Sequence, residues 1–110
     1  MAQVGIDLVE IARFEKLLEK NDTLFFDKVF TAYERDYCAQ FSDKAPHFAG
    51  IFSAKEAVSK ALGVHEYPVT GLEIRHTKEG APVAYYLGRM VDVSVSITHT
   101  STTAGAIAVK

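Results

Sequence analysis

The chain has 110 residues, of which 48% are hydrophobic and 24% charged, the composition of a globular protein that buries a core. Its formal net charge of -2 excludes the strongly positive field with which proteins hold nucleic acids, so we expect no nucleic-acid partner. The length predicts a single domain over residues 1–110. A domain this small leaves apolar surface uncovered, which makes self-association an expectation as well.

The location of the protein is predicted from its cysteine content and its N-terminus. Cys38 is the single cysteine, so no internal disulfide can form, and we expect it to be a small half-buried apolar residue. The first ten residues carry Asp7 and Glu10 rather than the basic and apolar segments of a signal peptide. No window approaches the roughly 18 apolar residues of a membrane span. These features predict a cytoplasmic protein with no membrane partner.

The first half of the chain reads as a strand followed by helices. Residues 3–6 form a short apolar strand, and helical spacing of apolar residues follows from Leu8 to about Asn21. Thr31 and Glu34 have the spacing of a capping box, which predicts a helix from Ala32 to about Phe41. A long central helix is then predicted over residues 47–62, with Pro46 in its first turn and Gly63 at its end.

The second half changes to the period of β-strands. Residues 72–76 and 83–87 flank a turn at 77–80 and predict a hairpin, in which Gly80 and Pro82 have a structural role only. Alternating apolar residues predict a strand over 91–97, and residues 104–109 pair back after a turn. The predicted fold class is α+β, with helices packed on a mainly antiparallel sheet.

Three segments carry residues suited to chemistry, and the first is GIDLVEIARF, which begins at Gly5. Asp7 lies where the predicted strand gives way to a helix. There a carboxylate can cap the helix by accepting amide hydrogen bonds. It can equally be a ligand for a hard cation, since Mg²⁺ binds one or two carboxylates together with substrate phosphates.

The second segment is FSAKEAVSKALG in the central helix. Lys55 and Ser59 are four residues apart, as are Glu56 and Lys60, so both pairs lie on neighbouring strips of the helix surface. They can form an exposed face held by a Glu–Lys pair. Alternatively, Glu56 joins Asp7 on a metal while the two lysines meet a phosphate as point charges.

The third segment, VSVSITHT, brings His99 between two threonine hydroxyls to the end of a strand. Such a polar run can simply begin a turn. It can also provide a histidine that donates to a phosphate or orients a reacting group near neutral pH. The other histidines have no partner pattern and are predicted to be surface residues: His47, His65 and His76.

Together these segments resemble the bacterial-type holo-acyl-carrier-protein synthases, the small single-domain branch of the 4′-phosphopantetheinyl transferases. GIDLVEIARF is similar to the family pattern GxDxxxIxRF, and FSAKEAVSKA to F-x-x-K-E-A-x-x-K-A. VSITH is similar to the closing V-S-I-T/S-H strand, and a G-x-P hairpin lies between them. The resemblance covers essentially the whole chain and implies the 4′-phosphopantetheinyl transferase fold.

The resemblance also implies roles for individual residues. Asp7 and Glu56 would coordinate Mg²⁺ together with the coenzyme A pyrophosphate, and Glu56 and Lys60 would be catalytic. The residues implied or guessed to contact coenzyme A are Lys55, Ser59, Lys60, Gly63, His99 and Thr100. Arg13 would meet the acidic recognition helix of an acyl carrier protein, and we extend this role to Lys16 and Lys20 because they lie on a similar side of the helix.

The implied reaction is phosphoryl transfer. A serine of apo acyl carrier protein attacks the β-phosphate of coenzyme A, giving holo acyl carrier protein and adenosine 3′,5′-bisphosphate in support of fatty acid biosynthesis. Glu56, directly or through a water, is a candidate base. The resemblance further implies a homotrimer with active sites at subunit boundaries. The chain departs from the family pattern at Ile51, where many relatives have a basic residue, and in the sequence after Gly63.

Two alternative functions are compatible with the residues. One is a non-catalytic module that binds coenzyme A or a carrier protein, and the other is a small structural oligomer whose helix charges are only solvated. The second predicts that coenzyme A binding does not depend on magnesium. The choice between fatty-acid and polyketide carrier proteins, the tolerance for acyl donors and the use of manganese stay open.

Overall fold

The computed structural model describes residues 3–64 and 71–110, which form an α+β fold with antiparallel sheets, as predicted. None of the helices in these two ranges has the length and apolar character needed to cross a bilayer. The elements in chain order are β1 Val4–Glu10, α1 Ile11–Glu19, α2 Thr23–Val29, α3 Ala32–Ala39, α4 Ala45–Leu62, β2 Leu72–His76, β3 Pro82–Tyr86, β4 Arg89–Met90, β5 Ser94–His99 and β6 Thr103–Val109.

The first sheet has the strand order β1-β6-β5 with antiparallel pairing throughout, and α4 packs on one of its faces. Close packing is possible because this face has small residues, including Gly5 in β1. A Cβ atom at Gly5 would overlap the carbonyl oxygen of Ala57 and lie 2.9 Å from the amide nitrogen of Ala61. The backbones of β1 and α4 are therefore in direct contact, and this contact sets the position of every side chain that β1 directs toward α4.

The opposite face of the first sheet is apolar and exposed. Because side chains alternate along a strand, the residues of β1 that point away from α4 are Val4, Ile6 and Leu8, which are 57%, 61% and 71% exposed. Ile107 and Val109 of β6 pair with Ile6 and Val4 and extend the same surface. We call these five residues the outer apolar face. Monomeric proteins rarely leave a contiguous apolar surface of this kind uncovered.

The second sheet, β2-β3-β4, is attached to the helices by a buried ion pair. Lys55 in α4 donates to Glu34 in α3 at 2.8 Å, and the backbone N–H of Ile74 in β2 donates to the other carboxylate oxygen at 2.7 Å. Glu34 also completes the predicted capping box of α3, since it accepts from the N–H of Thr31. One carboxylate thus connects two helices to a strand.

The helices enclose an aromatic core. Phe14 of α1 packs edge-on against Phe30 and in tilted contact with Phe52, at centroid distances of 6.3 and 5.5 Å. Phe26 and Phe30 are stacked, and Phe48 contacts both rings. These rings hold α1, α2 and α4 together beside the first sheet.

Several predicted elements are confirmed. The central helix ends at Gly63, which adopts the left-handed conformation at φ 74°, and Pro46 lies in its first turn. The hairpin of β2 and β3 is present. The strand predicted over residues 91–97 is half-buried, as expected, with Val95 and Ile97 packed against the core, but it begins at Ser94.

Three predictions about the fold are wrong. β1 continues to Glu10, so Asp7 lies in mid-strand and does not cap α1, whose N-cap is Glu10 without a side-chain cap. α2 was not predicted, although Asp22 caps it by accepting from the N–H of Phe25 at 3.1 Å. The strands form two sheets rather than one meander, because β6 pairs with β1 as well as with β5.

Candidate active site

Asp7 and Lys60 meet where β1 passes under α4. The side chain of Asp7 points to the α4 side of the sheet, the opposite direction from Ile6 and Leu8, and is 18% exposed. The Lys60 ammonium lies 3.4 Å from Asp7 Oδ1 and donates to the carbonyl of Ile6 at 2.8 Å. The structure therefore brings together two of the predicted site residues from positions 53 apart in the sequence.

Glu56 lies one helical turn before Lys60 on α4 and joins the same cluster. Burial raises the pKa of Glu56, and the charge of Asp7 raises it further. Burial also raises the pKa of Asp7, although Lys60 opposes this shift. Lys60 pairs with Asp7 rather than with Glu56, so the expected Glu56–Lys60 pair on an exposed helix face is not formed. Two half-buried carboxylates repel each other beside one ammonium.

The donor set of this cluster fits a hard cation that completes its coordination with water and substrate oxygens. Mg²⁺ binds proteins through one or two carboxylates and keeps several waters or phosphate oxygens. Asp7 and Glu56 are such a pair, and a cation between them would relieve the repulsion that raises the pKa of Glu56. Within residues 3–64 and 71–110, no group of three or more His, Cys, Asp or Glu side chains is arranged to hold a metal.

Lys55 and Ser59 are not part of this cluster, and their positions in this structure do not support the predicted contacts with coenzyme A, which stay predictions. The Lys55 ammonium is buried, where it donates to Glu34 and to the carbonyl of Val29 at 2.7 Å. The Ser59 hydroxyl is also buried and donates to the carbonyl of Glu56 at 2.8 Å. Both side chains lie on the core side of α4 rather than on the strip of Lys60.

Gly63 ends α4 three residues after Lys60, with its N–H donating to the Lys60 carbonyl at 3.3 Å. No side chain exists there to bind a ligand, so any contact of Gly63 with coenzyme A would be through the backbone. His65, predicted to be a surface residue, and the sequence departure at that position lie outside the described residues.

His99 and Thr100 lie at the end of β5, at a different place from the carboxylates. His99 Nδ1 donates to the carbonyl of Thr100 at 3.0 Å. The Thr100 hydroxyl accepts from the N–H groups of Thr102 and Thr103, so it stabilises the turn into β6. His99 lines a cavity of about 240 Å³ beside His47 in the first turn of α4. Nine residues of helix, about 13 Å, separate His47 from Glu56.

His47 and His76 are functional candidates that the sequence did not indicate. Both were predicted to be surface residues, yet they line the same cavity as His99. They belong to α4 and β2, elements far apart in sequence, and no spacing rule connects them. Only the packing of the second sheet against α3 and α4 reveals the grouping.

The basic residues of α1 form an exposed surface next to the carboxylates. Arg13, Lys16 and Lys20 line one groove together with Leu17 and Phe25. The guanidinium of Arg13 packs over the rings of Phe25 and Phe52 at 5.7 and 5.1 Å. The charge of Arg13 lowers the pKa of both Asp7 and Glu56, so this surface borders the cluster.

Comparison with known proteins identifies relatives along nearly the whole chain. The family model of the 4′-phosphopantetheinyl transferase superfamily matches residues 3–109. The holo-[acyl-carrier-protein] synthase of Syntrophus aciditrophicus is 38% identical over 96% of this chain and 91% of that protein. The protein of the same name from Chlamydia felis is 38% identical over 99% of this chain and 96% of its own length.

Solved structures agree with this assignment. The holo-(acyl-carrier-protein) synthase of Bacillus anthracis, in complex with CoA (3′,5′-ADP), is 32% identical over 97% of this chain and 93% of that chain, with a TM-score of 0.80. The Helicobacter pylori holo-[acyl-carrier-protein] synthase in complex with coenzyme A is 30% identical over 96% of each chain, with a TM-score of 0.81. The chain therefore belongs to the 4′-phosphopantetheinyl transferase superfamily and, within it, to the holo-[acyl-carrier-protein] synthases.

Proposed function

We propose that the protein transfers the 4′-phosphopantetheine group of coenzyme A to a serine of apo acyl carrier protein. The products are holo acyl carrier protein and adenosine 3′,5′-bisphosphate, and the reaction depends on Mg²⁺ and supplies fatty acid biosynthesis in the cytoplasm. The observation that carries this proposal is the meeting of Asp7, Glu56 and Lys60 at one place on the β1–α4 contact.

Asp7 and Glu56 would hold the metal, which when bound neutralises charge on the phosphate oxygens of the coenzyme. Lys60 contributes a further positive charge. Its side chain is 54% exposed and carries its ammonium at the edge of the cluster, so it can turn from Asp7 to a phosphate without breaking core packing. Phosphoryl transfer depends mainly on positioning and charge neutralisation, which these three residues provide.

The attacking serine must lose a proton, and Glu56 is our candidate acceptor, directly or through a water. Burial and the neighbouring Asp7 raise the pKa of Glu56, which brings a carboxylate closer to the pKa range of an effective general base.

The carrier protein would dock on the basic surface of α1. Arg13, Lys16 and Lys20 are exposed and share one groove with the apolar side chains of Leu17 and Phe25. An acidic amphipathic helix fits such a surface, because its carboxylates meet the basic side chains while its apolar residues enter the groove. Since the charge of Arg13 reaches Asp7 and Glu56, a serine at the end of that helix would be delivered to the cluster.

The active enzyme would be a homotrimer in which each coenzyme A molecule contacts two subunits. The outer apolar face offers the contact area for self-association. His99 and Thr100 lie apart from the carboxylates of their own chain, which favours their contacting a coenzyme held at the carboxylates of a neighbour.

The test is intact-mass spectrometry of apo acyl carrier protein incubated with the enzyme, coenzyme A and Mg²⁺. We expect the carrier protein to gain one phosphopantetheine, and the gain to vanish with EDTA and with Glu56→Gln. Glu79→Gln, a change in the exposed hairpin turn, is the matched control and should retain transfer. Coenzyme A binding without transfer by the parent protein would replace this proposal with a non-catalytic binding module.

A further inference from the structure

Ser53 places a fully buried hydroxyl on the side of α4 that packs against the first sheet. Positions 53, 57 and 61 of a helix lie on one stripe, because they are four residues apart. Ala57 and Ala61 of that stripe meet the backbone of β1 at Gly5, and both are buried. Packing on the sheet therefore requires only a small apolar side chain, and it does not explain why position 53 has a hydroxyl.

The hydrogen bond that this hydroxyl makes to the backbone is long. Ser53 Oγ donates to the carbonyl of Ala104 in β6 at 3.5 Å, whereas most O–H···O hydrogen bonds measure about 2.5 to 3.0 Å. A buried hydroxyl without a good partner costs free energy. A nearby carboxylate would be a better acceptor, because hydrogen bonds to charged groups are roughly twice as strong as those between neutral groups.

The pairing of β1 with β6 brings Asp7 next to this hydroxyl. Ala104, the residue that Ser53 contacts, lies opposite Val9 of β1, and Ala106 lies opposite Asp7. Paired strands are about 4.8 Å apart, so Ser53 lies over the part of β1 that bears the carboxylate. The side chain of Asp7 points to the same side of the sheet as α4 and is 18% exposed.

Ser53 also shares a strip of α4 with the other residues of the cluster. Positions 53, 56 and 60 are separated by three and four residues, so Ser53, Glu56 and Lys60 lie along one side of the helix. Burial raises the pKa of Asp7, while the charge of Lys60 and hydrogen bonds from Lys60 and Ser53 lower it. The two donors differ in mobility, because the Lys60 side chain is 54% exposed and Ser53 is completely buried.

We propose that Ser53 is a positioning residue of the metal site: its hydroxyl donates to the Asp7 carboxylate and holds it in the orientation that binds Mg²⁺ together with Glu56. This inference rests on the proposed function and adds a residue to its metal site. When Lys60 turns from Asp7 to a phosphate, Ser53 remains as a donor to the carboxylate. Loss of a group that hydrogen-bonds to a metal ligand commonly weakens metal binding by about 10- to 100-fold.

The sign of the effect separates positioning from charge. A hydrogen bond stabilises the negative charge of a carboxylate and makes it less basic, so by charge alone the loss of the hydroxyl would strengthen Mg²⁺ binding. Loss of positioning has the opposite effect, because the Asp7 side chain can then adopt orientations that do not bind the metal. Weaker Mg²⁺ binding by Ser53→Ala therefore reports the orientation of the carboxylate.

The experiment is calorimetric titration of the complete protein with Mg²⁺ alone, without coenzyme A or carrier protein, so that no transfer takes place. We expect the dissociation constant for Mg²⁺ to rise by about tenfold in Ser53→Ala. In the transfer reaction, the Mg²⁺ concentration that gives the half-maximal rate should rise by a similar factor, while kcat at saturating Mg²⁺ is retained.

Thermal melting of the metal-free variants separates this role from a loss of fold. Ser53→Ala should melt close to the parent protein, because alanine is the most favourable residue in a helix and offsets the lost hydrogen bond. Phe48→Leu is the matched control on α4, about 12 Å of helix before Glu56. It removes ring contacts with Phe26 and Phe30, so it should lower the melting temperature and leave the dissociation constant for Mg²⁺ unchanged.

The possible outcomes distinguish this inference from the proposed function. Equal or tighter Mg²⁺ binding by Ser53→Ala overturns the role of Ser53 and leaves the transfer activity unaffected. An equal loss of affinity in Ser53→Ala and Phe48→Leu overturns it as well, because the loss then follows the fold. A parent protein that binds no Mg²⁺ overturns the metal site and the role of Ser53 with it. Mg²⁺ binding that depends on Ser53, in a protein that transfers no phosphopantetheine, would refute the proposed function alone.

Discussion

The contact between Gly5 and α4 makes a sharp prediction about the substitution Gly5→Ala. The added methyl would overlap the carbonyl oxygen of Ala57 and lie 2.8 Å from its carbon and 2.9 Å from the amide nitrogen of Ala61. All three atoms belong to the helix backbone, so no side-chain rotation relieves the overlap. β1 and α4 must therefore separate.

Overpacking a core costs about 1 to 3 kcal/mol, and a gain of about 0.4 to 1 kcal/mol from a stiffer unfolded chain opposes it. Because the overlap is with backbone, we take the upper part of the range and expect a net loss of about 2 kcal/mol. With a urea dependence of about 1 to 3 kcal/mol per molar, the unfolding midpoint falls by roughly 1 M. Since β1 and α4 bear Asp7 and Glu56, the rate of transfer should fall as well.

Gly50→Ala is the matched control for urea unfolding followed by circular dichroism. Among the described residues, its methyl would meet only Cγ2 of Ile97, at 2.9 Å, and that side chain can shift. Alanine is also favoured over glycine within a helix by about 1 kcal/mol, so we expect a change smaller than this in either direction. If the Gly5→Ala variant had the same free energy of unfolding as Gly50→Ala, the backbone contact between Gly5 and α4 would be contradicted.

Three further predictions concern the ion pair, the thiol and the outer apolar face. Lys55→Met removes one partner of the buried Lys55–Glu34 pair and should lower the free energy of unfolding, measured with urea, by about 3 to 5 kcal/mol, because the Glu34 charge stays buried without its partner. Replacing both partners, with Lys55→Met and Glu34→Leu, should cost less. Equal losses in the two variants would contradict this explanation. Burial raises the pKa of the Cys38 thiol to about 12, so alkylation near neutral pH should occur only on unfolding, and rapid labelling of the folded protein would refute its burial. Ile6 is 61% exposed on the outer apolar face, so Ile6→Glu should place a charge in an interface formed by this face and reduce the molar mass that light scattering measures for the oligomer. An unchanged mass would exclude this face as the interface.

The elements with strong local signals were predictable from the sequence. α4 is delimited by Pro46 and Gly63, and α3 begins at a capping box, so both follow from neighbouring residues alone. The length of β1 does not, because residues 7–10 become strand through pairing with β6 at the other end of the chain. α2 was missed for a similar reason. Its seven residues are too few to be helical by themselves and are stabilised by packing against the aromatic core.

The candidate site was predictable in part. The motifs indicated Asp7, Glu56 and Lys60, and the structure brings these three together. Spacing along α4 also assigned Lys55 to the same surface, but a helix repeats every 3.6 residues and does not show which strip is buried. The buried partner Glu34, 21 residues earlier, decides that question. The grouping of three histidines likewise depends on tertiary packing alone.

The central claim is that Asp7 and Glu56 form the metal site, and thermal melting with and without Mg²⁺ and coenzyme A tests it most directly. Burial and the charge of Asp7 raise the pKa of Glu56, so its ionised form is less favourable in the metal-free folded protein than in the unfolded chain. The free energy of unfolding of the metal-free protein therefore falls as the pH rises through the raised pKa of Glu56. Glu56→Gln should therefore raise the melting temperature of the metal-free protein near neutral pH and abolish the increase that Mg²⁺ produces in the parent. An equal Mg²⁺ increase in the parent protein and in Glu56→Gln would contradict the claim.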